Sequence, residues 1–132
     1  MGFDASPPAI RAARLALEVA RRGKGQLWLV FAQQANPRTA EPRTEEEVST
    51  PVRAARKAAD ALVREAQEAG VPAEALFREG DPATVLLHVS RELRAGIIFV
   101  GTRGLGGAAR VLLGSVSSRV LAEATVPVTV VP

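Results

Sequence analysis

Short apolar runs alternate along the chain with longer stretches in which apolar residues recur every three or four positions. The short runs have the length of strands, and the periodic stretches have the length and spacing of amphipathic helices. Strands that alternate with helices predict a parallel sheet with right-handed crossovers and helices on both faces. The pattern therefore predicts an α/β fold, a three-layer α/β/α sandwich on a five-stranded, mostly parallel, doubly wound sheet.

Four stretches are predicted as helices because a capping residue, often followed by proline, precedes an apolar stripe. The predicted helix starts are Ser6, Thr50, Asp81 and Ser115, and the first two helices are ended by Gly23 and Gly70. The lone His88 lies off the apolar stripe of the third helix, which favours a surface position over a catalytic one.

Four apolar runs are predicted as strands, at residues 26–32, 74–78, 96–100 and 126–131. The first of these runs is nearly continuous, so it is expected to be buried on both faces, with Trp28 in the core. A fifth strand is expected at the N-terminus, where only Met1, Gly2 and Phe3 precede Asp4, although a strand usually takes about five or six residues. Either the true start of the chain lies upstream, or the sheet has a short middle strand.

Composition narrows the range of functions. A chain of 132 residues, 47% of them apolar, predicts a single domain over residues 1–132. The absence of cysteine and the single histidine exclude disulfides and both thiolate and multi-histidine metal sites. The basic residues that give the net charge of +3 are interleaved with acidic ones, which does not favour nucleic-acid binding. No apolar run has the length of a membrane span and no leader pattern is present, so a cytoplasmic protein without membrane contact is expected.

Glycines are concentrated between the predicted strand at residues 96–100, which is the fourth strand when the N-terminal one is counted, and the fourth helix. They lie in the stretch VGTRGLGGAARVLLGSVS at residues 100–117. Backbone N–H groups approach phosphate oxygens closely where no Cβ intervenes, and a helix start such as Gly114-Ser115 adds further donors. Arg103 could add a positive charge. A phosphate-binding loop and a loop that is glycine-rich only because it must turn are both compatible with this composition.

Three well-known phosphate motifs do not fit. Neither Lys24 nor Lys57 stands in the Gly-Lys-Ser/Thr context of a Walker A loop, and the first turn lacks the glycines of a dinucleotide-binding fingerprint. A phosphoacceptor receiver domain would need further acidic residues and a lysine at strand ends, where only Asp4 is in place.

The spacing Gly101-x2-Gly104-x9-Gly114-Ser115 matches the G-x2-G-x9-G-[S/T] signature of the universal stress protein family. The closing Pro-Val-x-Val-Val strand and the Asp4-Ala5-Ser6 turn are also similar to that family, and the resemblance covers nearly the whole chain. The chain departs from the family pattern where Ala5 replaces a glycine and where no acidic residue precedes the fourth strand.

The resemblance implies an ATP site, with Mg²⁺ as a companion of the nucleotide. The residues that it assigns to the adenine are Phe3, Asp4 and the main chain near Ala32. Those that it assigns to the ribose and phosphates are Gly101, Gly104, Gly114, Ser115 and Val116, bordered by Val100 and Arg103. Asp4 and Ser115 also suit a purely structural role as helix N-caps.

The function that follows is that of an ATP-binding universal stress protein, a regulatory or sensor module. A slow ATP hydrolase or phosphotransferase is a weaker alternative because no histidine, lysine or paired carboxylates cluster at the predicted strand ends. A nucleotide-free interaction protein is the other alternative. The last strand carries no charge, and an unblunted sheet edge of this kind invites pairing, so a homodimer through residues 126–131 is expected.

Overall fold

The computed structural model describes residues 1–33, 50–102 and 113–132. The helices and strands of these residues are, in chain order, α1 (Pro7–Gly23), β1 (Leu27–Gln33), α2 (Thr50–Glu68), β2 (Ala73–Glu79), α3 (Pro82–Glu92), β3 (Ile98–Gly101), α4 (Ser115–Glu123) and β4 (Val128–Val131). The predicted alternation of strands and helices is confirmed. None of the helices in these three ranges is long and apolar enough to cross a membrane.

The sheet is assembled from two parallel pairs that the first residues of the chain join. β1 pairs with β2, and β3 pairs with β4. Between the two pairs lie residues 1–4, here called the leading segment. Phe3 N donates to Val30 O at 2.8 Å and Gly2 N donates to Phe99 O at 3.0 Å. The order across the sheet is therefore β2, β1, leading segment, β3, β4, and the fifth strand is reduced to a single bridge between Gly2 and Val30.

The sheet separates two apolar clusters, which confirms the three-layer architecture. Along β3, Phe99 belongs to the cluster that α1 and α2 cover, whereas Ile98 and Val100 belong to the cluster that α3 and α4 cover. Successive residues of a strand point to opposite faces, so a central strand serves both layers.

The face of α1 that meets the sheet is built from small side chains. Its most buried residues are Ala9, Ala12, Ala13 and Ala16. Because alanine carries only one methyl group, the axis of the helix can lie close to the strands beneath it. Ser6 caps this helix as predicted, with Oγ accepting from Ala9 N at 3.4 Å.

Two single-residue expectations have opposite outcomes. His88 is exposed on α3, as predicted. The expectation that Trp28 belongs to the core is wrong, because its side chain is only half-buried and lines a cavity. The expectation rested on the apolar run that contains Trp28, whereas burial also requires a neighbouring strand, and the leading segment is too short to lie beside Trp28.

Ala5 adopts a left-handed backbone, with φ of +62°. This conformation costs a residue with a Cβ about 1–2 kcal/mol, whereas glycine adopts it freely. We expect Ala5→Gly to raise the free energy of unfolding by about 0.5–1 kcal/mol, since the relief exceeds the added chain entropy of glycine. Urea denaturation measures the difference. Ala124→Gly is the matched control, because Ala124 has φ of −67° and should lose stability. Equal losses in the two variants would contradict strain at Ala5.

Candidate functional site

The carboxyl ends of the central strands and the starts of two helices meet at one edge of the sheet. The leading segment ends there at Asp4, just before α1, and β3 ends there at Gly101, before the chain returns as α4. In open α/β sheets, ligands bind beyond the carboxyl ends of the strands. This edge is therefore the candidate site.

The start of α4 presents backbone donors to this edge. Gly114 is the N-cap, in an extended conformation with φ of −73° and ψ of 164°, and as a glycine it contributes no side-chain cap to the helix. The first amides of a helix have no partners within the helix, and the helix dipole adds positive character to them. Ser115 and Val116 form the first turn, so the idea that Ser115 is the N-cap is wrong by one residue. This helix start can accept an anion.

A buried hydroxyl ties the start of α4 to the end of β3. Ser117 is only 2% exposed, and its Oγ donates to Thr102 O at 3.2 Å and to Gly114 O at 3.0 Å. Gly114 N donates to the same Thr102 carbonyl at 2.6 Å. The position of the helix start is thus fixed by one carbonyl. Ser117 is not among the residues predicted for the site, although its spacing of three from the buried Val120 places it on the inner face of the helix.

Gly101 lies where β3 passes closest to the start of α1. A Cβ at this position would lie 2.9 Å from both Ala9 N and Pro8 Cβ, and neither backbone can move away cheaply. Gly101 therefore has a packing reason to be glycine. The close approach also brings the start of α1 to the edge where α4 starts.

Asp4 shapes the turn that leads into α1. Its Oδ1 accepts from Ser6 N at 2.9 Å, while Ser6, not Asp4, is the N-cap of the helix. The alternative role of Asp4 as the N-cap of α1 is therefore wrong. Its carboxylate nevertheless stabilises the turn that precedes the helix. Ala32 lies on the neighbouring β1, half-buried and opposite Arg78.

The ten residues predicted for the site fall into three groups. At the carboxyl edge lie Asp4, Ala32, Gly101, Gly114, Ser115 and Val116. Phe3 and Val100 are buried in the two apolar clusters, one on each face of the sheet. Arg103 and Gly104 lie outside the described residues.

An ionic network links the outer side of α4 to the start of α3. Arg119 Nη1 lies 2.7 Å from Asp81 Oδ2, and Arg119 Nη2 donates to Thr84 Oγ1 at 2.9 Å. Hydrogen bonds from the amide and hydroxyl of Thr84 hold the pKa of Asp81 below its usual value, and Arg119 adds to the effect. Asp81 is the N-cap of α3. The network thus joins one helix cap to the helix that starts at the candidate site.

Comparison with known proteins gives a consistent result. The model of the universal stress protein family matches residues 1–132. A universal stress protein of Thermus aquaticus is 37% identical, over 99% of this chain and 95% of the relative.

Two solved structures show the same fold. The universal stress protein from Archaeoglobus fulgidus in complex with dAMP superposes with a TM-score of 0.75 at 22% identity, covering 99% of this chain and 94% of that one. An Arabidopsis thaliana protein of the family, with AMP bound, gives a TM-score of 0.65 at 24% identity, covering 98% and 87%.

The Ser117 hydroxyl is expected to contribute measurably to stability. Ser117→Ala leaves the Thr102 carbonyl with one hydrogen bond fewer, so we expect the free energy of unfolding to fall by about 1 kcal/mol. The exposed Ser118→Ala, one residue away, should change it by less than about 0.5 kcal/mol. Urea denaturation compares the two variants. Equal effects would show that the buried hydroxyl does not hold the helix start.

Proposed function

We propose that this chain, which belongs to the universal stress protein family, binds an adenine nucleotide at the carboxyl edge of its sheet. The observation that carries the proposal is the start of α4, where Gly114 leaves the first-turn amides without a side-chain cap. Bound there, a phosphate group would take the place of the missing cap. The nucleotide would then act as the signal of a regulatory or sensor module in the stress response.

Relatives of the same fold support an adenine base. The Archaeoglobus fulgidus protein holds dAMP and the Arabidopsis thaliana protein holds AMP. In this chain, Asp4 and the main chain at Ala32 lie at the carboxyl edge of the sheet, on the leading segment and on β1. A main-chain carbonyl there would accept a hydrogen bond from the exocyclic amine of adenine.

We propose ATP as the preferred nucleotide. The glycine spacing from Gly101 to Gly114 matches the family signature across the segment that joins β3 to α4. A triphosphate would reach the amides of Ser115 and Val116 from a base held near Asp4. In the part of the chain that the structure describes, no three carboxylate or histidine side chains lie together as a metal site. A Mg²⁺ that accompanied ATP would therefore take phosphate and water oxygens as its ligands.

A sensor fits this edge better than a fast enzyme. Of the acidic side chains near the strand ends in the described ranges, Asp4 accepts a turn amide and Asp81 is paired with Arg119. Glu79 ends the outermost strand β2, which β1 and the leading segment separate from β3 and the start of α4. General-base catalysis needs a group that is free to take a proton from the nucleophile. We therefore propose that ATP acts mainly as a ligand.

Isothermal titration calorimetry tests the site. We expect the protein to bind ATP, with GTP weaker by about tenfold, the equivalent of roughly one hydrogen bond to the base. Gly114→Val should abolish ATP binding, because the branched side chain would occupy the phosphate position while φ of −73° remains accessible to valine. Gly23→Val is the matched control, since a Cβ at this exposed position meets nothing within 4 Å.

Two results would contradict the proposal. Equal affinity for ATP and GTP, or no binding of either, would exclude an adenine-specific site. Unchanged ATP binding by Gly114→Val would move the phosphate site away from the start of α4.

We further propose that β4 mediates a homodimer. In the ladder between β3 and β4, Ile98 N donates to Pro127 O and Thr102 N donates to Val131 O. Because successive residues of a strand direct their backbone groups to opposite sides, the odd-numbered residues of the last strand face β3. The N–H groups of Val128 and Val130 consequently point away from β3, toward the edge. The residues of β4 are half-buried in the single chain. A second copy could pair with these outward groups across a two-fold axis.

Val128→Pro tests this interface. The substitution removes an outward donor without removing one that faces β3, so we expect the dimer to dissociate while the fold persists. Val128→Thr, which keeps the N–H group and the branched shape, should remain dimeric. Size-exclusion chromatography with light scattering measures the mass of each variant. A parent protein with the mass of one chain, or a dimeric Val128→Pro, would refute pairing through β4.

A further inference from the structure

A cavity of about 490 Å³ opens at the amino end of the sheet, on the side opposite the candidate nucleotide site. It lies next to Met1, on the side of its amino group, between the first residues of β1 and those of β3. Trp28 and Leu27 border it from one strand, and Ile97 and Ile98 border it from the other. The cavity therefore lies at the position that the middle of the sheet would occupy if the leading segment were longer.

The register shows how much strand is missing. Gly2 lies opposite Val30 on β1, and β1 begins at Leu27, three residues nearer the amino edge. In a parallel ladder, the residue opposite Trp28 would be the one that immediately precedes Met1. The flanking strand thus extends beyond the leading segment, and a continuation in the same register would run along it.

Backbone donors of both flanking strands face the cavity. On β1, Leu27 N donates to Pro72 O toward β2 and Val30 N donates to Met1 O, so by alternation Trp28 N–H points into the gap. On β3, Ile98 N donates to Pro127 O toward β4, so Phe99 N–H points into the gap from the other side. A strand in the gap would pair both groups, which otherwise lack a ladder partner there.

The N-terminal amine of Met1 occupies a place suited to a peptide N–H. It donates to Trp28 O, as the amide of a continuing parallel strand would. Burial lowers the pKa of this amine to about 5, because the charged form is poorly solvated there. A neutral peptide N–H would make the same hydrogen bond without the cost of desolvating a charge.

The walls of the cavity are mainly apolar and partly exposed, with Gln26, Ser90 and Arg94 as polar members of the lining. Val19 of α1 is 42% exposed and Ile97 is 37% exposed, and both line the cavity. They are two of the four large apolar side chains that are exposed in the described residues. An apolar strand between them would cover both.

We propose that a stretch of about four extended, mainly apolar residues directly N-terminal to Met1 fills this cavity and completes the central strand. The added residues would bring the strand to the usual length of about five or six or slightly more. Continuity of the backbone favours this occupant, because a separate peptide would have to end against the buried amine of Met1. The proposal concerns the amino end of the sheet and does not depend on nucleotide binding.

Three forms of the protein test the proposal: the 132-residue chain, a form extended before Met1 by Val-Ile-Val-Leu, and a form extended by Gly-Ser-Gly-Ser, both extensions following an initiator methionine. We expect the apolar extension to raise the thermal unfolding midpoint by about 4 °C or more, while the Gly-Ser extension changes it little. Trp28, the chain's one tryptophan, should show blue-shifted fluorescence only in the apolar form. Amide exchange at Trp28 and Phe99 should slow by about tenfold or more, since paired amides exchange only on opening.

Each alternative outcome overturns a defined part of the proposal. If neither extension changes stability, fluorescence or exchange, the cavity does not accept a strand. If the Gly-Ser extension is as effective as the apolar one, the apolar walls do not select the occupant. Intact-mass measurement of the protein isolated from its own source should reveal residues before Met1, and a mass that corresponds to residues 1–132 alone would overturn the proposed natural occupant.

Discussion

The hydrogen bonds of Gly2 and Phe3 are the constraint on which the rest of the structure depends. Together with the hydrogen bonds between Met1 and β1, they link the β1–β2 pair to the β3–β4 pair within the described sheet. Asp4 and the turn into α1 follow them immediately, so the same residues place the start of that helix. The start of α1 in turn meets Gly101 at the end of β3. The geometry of the nucleotide edge therefore depends on a very short piece of central strand.

Much of the fold could be predicted from the sequence because periodicity and capping are local signals. Ser6 and Asp81 each precede proline and cap the helix that was predicted there. Trp28 is an example of a residue whose burial such local signals do not predict. Its burial depends on whether a strand lies beside it, and that is a property of the length of another segment rather than of the apolar run that contains Trp28.

The candidate site was predictable where backbone chemistry dominates and less so where packing decides. The glycine spacing located Gly101 and the start of α4, since bare backbone and a helix start are visible in sequence. Phe3 was assigned to the base, yet its side chain lies in the core, because the face to which a strand residue points depends on register. Ser117 was overlooked because a buried hydroxyl becomes recognisable only when Thr102 is found beside it.

The alanine face of α1 restricts how this protein can change over evolutionary time. At Ala12 or Ala13, which are almost fully buried, glycine would weaken the helix by about 1 kcal/mol. Any larger residue would push the helix away from β3, where the backbone of Gly101 already lies against that of Pro8 and Ala9. Such positions tolerate a narrow range of side-chain volumes, so sequence drift in α1 is confined to its outer surface. The buried alanines of α1 are thus among the residues of this chain that tolerate substitution least.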